Sequence, residues 1–213
     1  MIEVLNESKE EKLNYIINLP DEYGKTEEKF PVILFLHGIG ERGADIRKVK
    51  KYGIHRYIKD INIPFVVVSP QCKENNFWDR HFSDIEELLE NIKEKYRIDL
   101  ERICLVGVSL GAYGAWNFAM ERPNMFKSVV SIAGGAMIPK YANLIKEIPV
   151  YIAHGEEDCE VDIRESMEIA EELISIGGKV KLNIVANSGH ELCTKIFEDK
   201  SLYRWIAENT MKR

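Results

Sequence analysis

The segment Gly107–Gly111, with the sequence GVSLG, constrains the fold of this chain more than any other. A short apolar run, Ile103–Gly107, leads into it, and a run of mostly small and apolar residues, Ala112–Met120, follows it. The first run is typical of a strand that is buried on both faces of a parallel sheet. The second has helical character. The pattern therefore predicts a strand, a sharp turn and a helix, with Ser109 at the turn.

The spacing Gly-x-Ser-x-Gly is typical of a nucleophile elbow, in which the serine takes a strained backbone conformation that side chains at the flanking positions would obstruct. Such a turn exposes the hydroxyl of Ser109 above the sheet. The N–H of Leu110 points to the same place from the first helical turn, where negative charge is favoured. Ser109 is therefore a candidate nucleophile, although glycines at a helix entry can also serve close packing alone.

Length and composition are those of an ordinary soluble globular protein. The 213 residues are enough for one well-buried core, and we expect a single domain over residues 1–213. A hydrophobic content of 45% with 30% charged residues excludes the disordered and fibrous classes. The net charge of -6 argues against nucleic acid or an anionic membrane as a partner.

The sequence favours a cytoplasmic location. Residues 1–11 lack the apolar region of a secretory signal, and no stretch approaches the length of a membrane span. The four cysteines lie far apart in sequence and fit reduced thiols better than a disulfide framework. They are Cys72, Cys104, Cys159 and Cys193.

Apolar runs alternate with amphipathic stretches along the whole chain. Strands are predicted at 13–19, 31–36, 64–69, 103–107, 128–133, 150–154 and 180–186, with a further strand around Ile2 and Val4. Helices are predicted from Ser83, over 112–120, over 163–176 and over a C-terminal region broken near Asp199. This alternation predicts an α/β fold with a mostly parallel sheet, helices on both faces, and ligands bound beyond the carboxyl ends of the strands.

Three local signals refine this prediction. Residues 45–58 show a weak helical periodicity that breaks near Gly53. Ser83 and Glu86 have the spacing of a capping box, which would open the helix that follows. Asp162 has the position of an N-cap for the helix over 163–176.

A serine nucleophile needs a base, and five histidines are available. His190 follows the last predicted strand, where a loop returns over the carboxyl end of the sheet, and is the favoured base. His37 and His154 each end a strand and precede a glycine, a position typical of a histidine that supports the adjoining loop. The other two, His55 and His81, are interpreted as surface or packing residues.

The acid that orients the base should lie between Ser109 and His190 in chain order. The loop after the strand 150–154 contains several carboxylates, and its composition does not choose among them. Asp158 is placed where the loop could turn inward and is favoured, while Glu157 and Asp162 remain alternatives.

Several motifs together resemble the α/β-hydrolases. The chain is most similar to single-domain esterases related to polyhydroxybutyrate depolymerases and feruloyl esterases, and to predicted peptidases near the prolyl oligopeptidase group. The resemblance spans residues 13–206. It rests on Leu36–Gly43, Pro70–Cys72 with Trp78, Gly107–Gly111, Ala133–Gly135, His154–Asp158 and Ser188–His190.

The resemblance implies a role for each of six positions. It implies Ser109 as nucleophile, Asp158 as acid and His190 as base. It further implies an oxyanion hole formed by the N–H groups of Ile39 and Leu110. A substrate-binding role is implied for Trp78, with packing alone as the alternative.

Two further features of the resemblance affect the site. Glu41 and Arg42 would brace the Ile39 loop, or form a dispensable exposed ion pair. Relatives often carry a second glycine after the elbow where this chain has Ala112, a difference small enough to preserve the turn. The segment 136–148, where many relatives insert a lid, is short, so an open site without a substantial lid is expected.

The leading hypothesis is a serine carboxylesterase that hydrolyses small or chain-terminal esters through an acyl-enzyme, with no metal or cofactor. A serine peptidase or acyl-peptide hydrolase is the alternative within the same chemistry. A non-catalytic binding protein on this fold is an alternative from another class. A zinc site is a further alternative, with looser spacing than a zinc module, and would use His154, Cys159, His190 and Cys193.

Overall fold

The computed structural model describes residues 1–7, 12–58, 61 and 63–211. The strands are β1 (Ile2–Asn6), β2 (Tyr15–Leu19), β3 (Phe30–Leu36), β4 (Val66–Pro70), β5 (Ile98–Val108), β6 (Ser128–Ile132), β7 (Val150–Gly155) and β8 (Val180–Val185). The α-helices are α1 (Phe82–Lys93), α2 (Leu110–Glu121), α3 (Ile163–Ser175), α4 (Cys193–Glu198) and α5 (Lys200–Thr210). Short 3-10 helices cover Ile39–Glu41, Ile46–Lys50, Ile54–Arg56, Trp78–His81, Pro139–Ile145 and His190–Leu192.

The eight strands form one sheet in the order β1-β2-β4-β3-β5-β6-β7-β8. β1 and β2 pair antiparallel, β2 pairs antiparallel with β4, and all other neighbours are parallel. β5 begins earlier than predicted because its first residues pair with the start of β3, and the register shifts between Pro31 and Val32. The prediction of a mostly parallel sheet is confirmed.

Helices pack on both faces of this sheet, as predicted. On one face, apolar residues of α1, α2 and α3 form a buried cluster with side chains of the central strands. On the other face, α4 and α5 pack against alternate residues of the same strands. β3 and β4 are buried over their whole length, which explains why they read as continuous apolar runs. The rings of Phe82 in α1 and Phe118 in α2 stack with centroids 4.3 Å apart.

The weak helical periodicity over 45–58, with its break near Gly53, corresponds to two short 3-10 helices. They are Ile46–Lys50 and Ile54–Arg56. Gly53, between them, packs against β3 so closely that a Cβ there would lie 2.5 Å from the ring of Phe35. The break in the periodicity therefore coincides with a close contact between Gly53 and the sheet.

The capping box at Ser83 is wrong. α1 begins at Phe82 as a continuation of the 3-10 helix Trp78–His81, so Ser83 lies inside the first turn. The carboxylate of Glu86 instead accepts a hydrogen bond of 2.7 Å from Arg122. The Glu86 side chain that a capping box would require thus forms a tertiary ion pair with Arg122.

Other local predictions are confirmed. Asp162 caps α3 by accepting from the N–H of Arg164, and Asp199 separates α4 from α5 by accepting from the N–H of Ser201. The short segment expected where relatives carry a lid contains the 3-10 helix Pro139–Ile145. Among the described residues, no helix is long and apolar enough to cross a membrane.

Candidate active site

Ser109 occupies the turn between β5 and α2 in a backbone conformation that is rare for residues with a side chain. Its φ is 52° and its ψ is -118°, and such a conformation typically costs about 1–3 kcal/mol. The flanking glycines have no room for side chains. A Cβ on Gly107 would lie 2.1 Å from the carbonyl oxygen of Gly111, and a Cβ on Gly111 would lie 1.9 Å from the carbonyl oxygen of Leu36. The turn has the geometry predicted for a nucleophile elbow.

His190 and Asp158 meet Ser109 at the carboxyl edge of the sheet. The Nε2 atom of His190 lies 2.9 Å from the hydroxyl oxygen of Ser109. The Nδ1 atom of the same ring lies 2.8 Å from Oδ2 of Asp158. Three distant segments, which follow β5, β7 and β8, thus place an alcohol, an imidazole and a carboxylate in one hydrogen-bonded line.

The Asp158 carboxylate is held by its surroundings in the ionised form. Its side chain is fully buried, and burial alone would raise the pKa. The N–H of Val161, the ring of His190 and the N–H of Glu160 donate to it and together lower the pKa below the ordinary value. Both backbone N–H groups bind Oδ1 at 2.9 Å, which leaves Oδ2 to face His190.

Of the carboxylates that the sequence leaves open, Asp158 is the one that contacts His190. Asp162 is exposed and serves as the N-cap of α3. Glu157 is also exposed, and its backbone N–H donates to the carbonyl of Ser188. The loop therefore turns one carboxylate inward and leaves the others outside.

The N–H groups of Leu110 and Ile39 begin two helices beside Ser109. Leu110 is the first residue of α2, and Ile39 is the first residue of the 3-10 helix that follows β3. Donors at first helical positions have no acceptor within their own helix. The loop of Ile39 lies against the serine, since a Cβ on Gly38 would be 3.7 Å from the Cβ of Ser109.

His37 and Trp78 fix the base of this loop. Burial lowers the pKa of His37 to about 4, so its ring is neutral at pH 7. The ring accepts at Nε2 from the N–H of Cys72 at 3.0 Å and donates from Nδ1 to the carbonyl of Gly38 at 2.7 Å. The indole N–H of Trp78 donates to the carbonyl of His37 at 3.1 Å.

Glu41 and Arg42 also hold this loop. Glu41 is buried and accepts a hydrogen bond of 3.1 Å from the N–H of Gly38. Burial raises the pKa of Glu41 to about 7. Arg42 donates to the carbonyls of Ile39 at 3.3 Å and Asn76 at 2.8 Å. These contacts agree with a bracing role and not with an exposed ion pair between the two residues.

A cavity of about 430 Å³ opens beside Leu110 and is lined mainly by apolar side chains. Trp78 borders it but is 1% exposed, so most of its ring belongs to the core. Polar side chains also border it, namely Asp79, Arg80 and Asn117. Its lining includes Phe77, which is 54% exposed, Met137, which is 72% exposed, and Tyr113.

Sequence reasoning missed these three side chains. Phe77 adjoins Trp78, and Tyr113 follows Ser109 by about one helical turn, so position alone could have suggested both. Burial first, and then the carboxylates of Glu165 and Asp158, raise the pKa of Tyr113 to about 12. Its phenol is therefore neutral.

The residues of the zinc alternative have other partners. The ring nitrogens of His154 contact Ser166 and Val161, and those of His190 contact Asp158 and Ser109. Within the described ranges, no group of three or more histidine, cysteine, aspartate or glutamate side chains is arranged to hold a metal ion.

The sheet order, the strained serine turn and the loops at the carboxyl edge define an α/β-hydrolase. A solved thermostable esterase superposes on the chain with a TM-score of 0.84 at 24% identity, over 98% of this chain and 63% of the other. An S-formylglutathione hydrolase from Agrobacterium tumefaciens gives a TM-score of 0.72 at 17% identity, over 98% of this chain and 94% of the other. The predicted fold is thereby confirmed.

Residues 6–175 match the family described as "Putative esterase", and the chain belongs to that family. The curated Esterase YpfH of Escherichia coli (strain K12) is 33% identical over 89 residues, which are 41% of this chain and 38% of that protein. The chain thus aligns with about two fifths of this relative. The resemblance inferred from the sequence motifs is confirmed at the level of the family.

Proposed function

We propose that the protein is a serine carboxylesterase that acts through an acyl-enzyme. One observation supports this above all: His190 bridges the Ser109 hydroxyl and the Asp158 carboxylate at 2.9 and 2.8 Å. These are hydrogen-bond distances that allow direct proton transfer. Membership of an esterase family supports an ester substrate over the peptidase and non-catalytic alternatives.

In the first half of the reaction, Ser109 Oγ attacks the ester carbonyl carbon while its proton moves to Nε2 of His190. The carbonyl oxygen becomes an oxyanion, which the N–H groups of Leu110 and Ile39 stabilise. The tetrahedral intermediate then collapses. The C–O bond to the alcohol breaks, and the alcohol leaves with the proton from His190.

In the second half, water attacks the acyl-enzyme and gives a proton to His190. Collapse of the second intermediate breaks the bond to Ser109, which recovers its proton, and the carboxylic acid is released. Asp158 accepts from Nδ1 of His190 throughout. It thereby keeps Nε2 facing the serine and stabilises the imidazolium in both halves.

The cavity beside Leu110 supports small or chain-terminal esters with an apolar part. Its volume of about 430 Å³ suits a short acyl or aryl group. The exposed side chains of Phe77 and Met137 provide apolar contact without enclosing the ligand. The segment around Pro139–Ile145 is short, so we expect an open site with little activation at interfaces.

We further propose a cytoplasmic location and a single domain. All four cysteines are free thiols, which is typical of a reducing compartment. The net charge of -6 gives no support to a nucleic-acid or membrane partner. The two main apolar clusters lie on opposite faces of one sheet, which supports one folding unit.

The mechanism is tested with p-nitrophenyl acetate and the Ser109→Ala variant. Wild-type protein should release a burst of p-nitrophenolate equal to its concentration, and the variant should release none. Ser175→Ala is the matched control, because this exposed serine makes its hydrogen bond within the end of α3. Turnover by Ser109→Ala at the wild-type rate would exclude the proposed nucleophile.

A further inference from the structure

A second histidine also contacts the Asp158 carboxylate. His154, near the end of β7, is fully buried. Its Nε2 atom lies 3.3 Å from Oδ2 of Asp158 and 3.0 Å from the carbonyl oxygen of Val161. Its Nδ1 atom lies 2.7 Å from the hydroxyl oxygen of Ser166 in α3. The mechanism described above makes no use of this ring.

The hydrogen bonds around His154 determine how many protons the ring carries. The Ser166 hydroxyl has one proton, and its oxygen lies 2.6 Å from the carbonyl oxygen of Gly134. A carbonyl only accepts, so this proton is committed to Gly134. Ser166 must then accept from His154, which requires a proton on Nδ1. The neighbours of Nε2, a carbonyl and a carboxylate, also only accept. Each ring nitrogen therefore faces an acceptor.

We propose that His154 is an imidazolium that forms a buried ion pair with Asp158 and acts as a positioning residue for the triad. The inference rests on the proposed function for its role in catalysis. The proton count itself is independent of that function. A buried ion pair is tolerable when further hydrogen bonds satisfy both ions. Here the carbonyl and hydroxyl serve His154, and two N–H groups with His190 serve Asp158.

The positive charge of His154 has a consequence for the base. His190 and His154 lie 2.8 and 3.3 Å from the same oxygen of Asp158, so a charge on one ring opposes a charge on the other. Two exposed carboxylates also lie near these rings: Asp162 interacts electrostatically with His154, and Glu160 lies 4.0 Å from Nε2 of His190. The two rings thus share the negative charge of one carboxylate oxygen.

The proton count is tested on the wild-type protein by nitrogen NMR of its histidine rings at pH 7. The spectrum of His154→Gln identifies the resonances of ring 154. We expect both nitrogens of this ring to show the signature of protonated nitrogens. A spectrum with one protonated and one unprotonated nitrogen would overturn the proposal, whatever the enzyme hydrolyses.

The role in catalysis is tested by two neutral replacements that each keep one donor. His154→Asn retains an N–H near the position of Nδ1, and His154→Gln retains one near Nε2. If the charge matters, the acid limb of kcat/KM for p-nitrophenyl acetate moves to higher pH in both, by about one pH unit. If His154 served packing alone, the variants would lose activity without a shift of the acid limb. That result would refute the proposed effect of the His154 charge on His190.

The two proposals fail in different ways. Loss of the burst in Ser109→Ala with a wild-type acid limb in both His154 variants would support the esterase and exclude the charge effect. Undiminished turnover in Ser109→Ala would exclude the esterase mechanism, and NMR would still decide the protonation of His154. Thermal denaturation of the two His154 variants verifies that each is folded before its pH profile is measured.

Discussion

Replacing Glu41 with glutamine should change how the stability of the protein depends on pH. Burial raises the pKa of Glu41 from 4.5 to about 7 in the folded protein. At about 1.4 kcal/mol for each pH unit, this difference corresponds to about 3.5 kcal/mol. Glutamine keeps an oxygen that can accept from the N–H of Gly38 and never ionises. The variant therefore removes the ionisation and can retain the hydrogen bond to the loop.

The direction of the pH dependence is set by whether the folded or the unfolded protein holds the proton of Glu41. Below pH 4.5, Glu41 is protonated in both states and contributes no pH dependence. Between pH 4.5 and about 7, the folded protein retains a proton that the unfolded chain has lost, so the free energy of unfolding falls as the pH rises. Above that range the loss is complete. Wild-type protein should lose about 3.5 kcal/mol of its free energy of unfolding relative to Glu41→Gln across this window.

Urea denaturation of both proteins at a series of pH values measures this difference. Subtracting the two stability curves removes the contributions of all other titrating groups. Glu171→Gln, which replaces an exposed carboxylate on α3, is the matched control and should give a curve parallel to that of the wild type. Parallel curves for wild type and Glu41→Gln between pH 4.5 and 8 would refute the argument from burial.

Three further predictions concern the serine turn, the acid and the cavity. Gly111→Ala should destabilise the fold by several kcal/mol in thermal denaturation, because its Cβ would lie 1.9 Å from a carbonyl oxygen of β3. Gly24→Ala, with nothing within 4 Å, should cost little. Asp158→Asn should lower kcat for p-nitrophenyl acetate by roughly 10³–10⁴-fold, since the amide misdirects the ring of His190. Phe77→Ala should reduce the preference for p-nitrophenyl hexanoate over the acetate by roughly tenfold, because the truncated wall of the cavity loses its contact with the longer chain; an unchanged ratio would place the acyl chain elsewhere.

The parts of this protein that could be predicted from sequence are those in which local backbone chemistry and chain order carry the information. The space around Ser109 requires glycine at positions 107 and 111, so the turn can be predicted from the sequence. His190 follows the last strand and reaches the serine because parallel strands end at one edge.

The features that could not be predicted from the sequence depend on packing between distant parts of the chain. The choice of Asp158 over Glu157 depended on which way one loop turns. The periodicity over 45–58 did not show that its two parts are short 3-10 helices, or that Gly53 between them lies against the ring of Phe35. The cavity is formed by Phe77, Tyr113 and Met137 from three separate segments, and no short pattern unites them.

The position of β8 at the edge of the sheet affects how long the protein retains its activity. This strand ends the sheet, pairs with β7, and has no fully buried residue. The segment that carries His190 follows it directly. Fraying at this border would withdraw the proton acceptor while the central strands stay intact. We therefore expect activity to be lost by local opening at this edge before the central strands unfold.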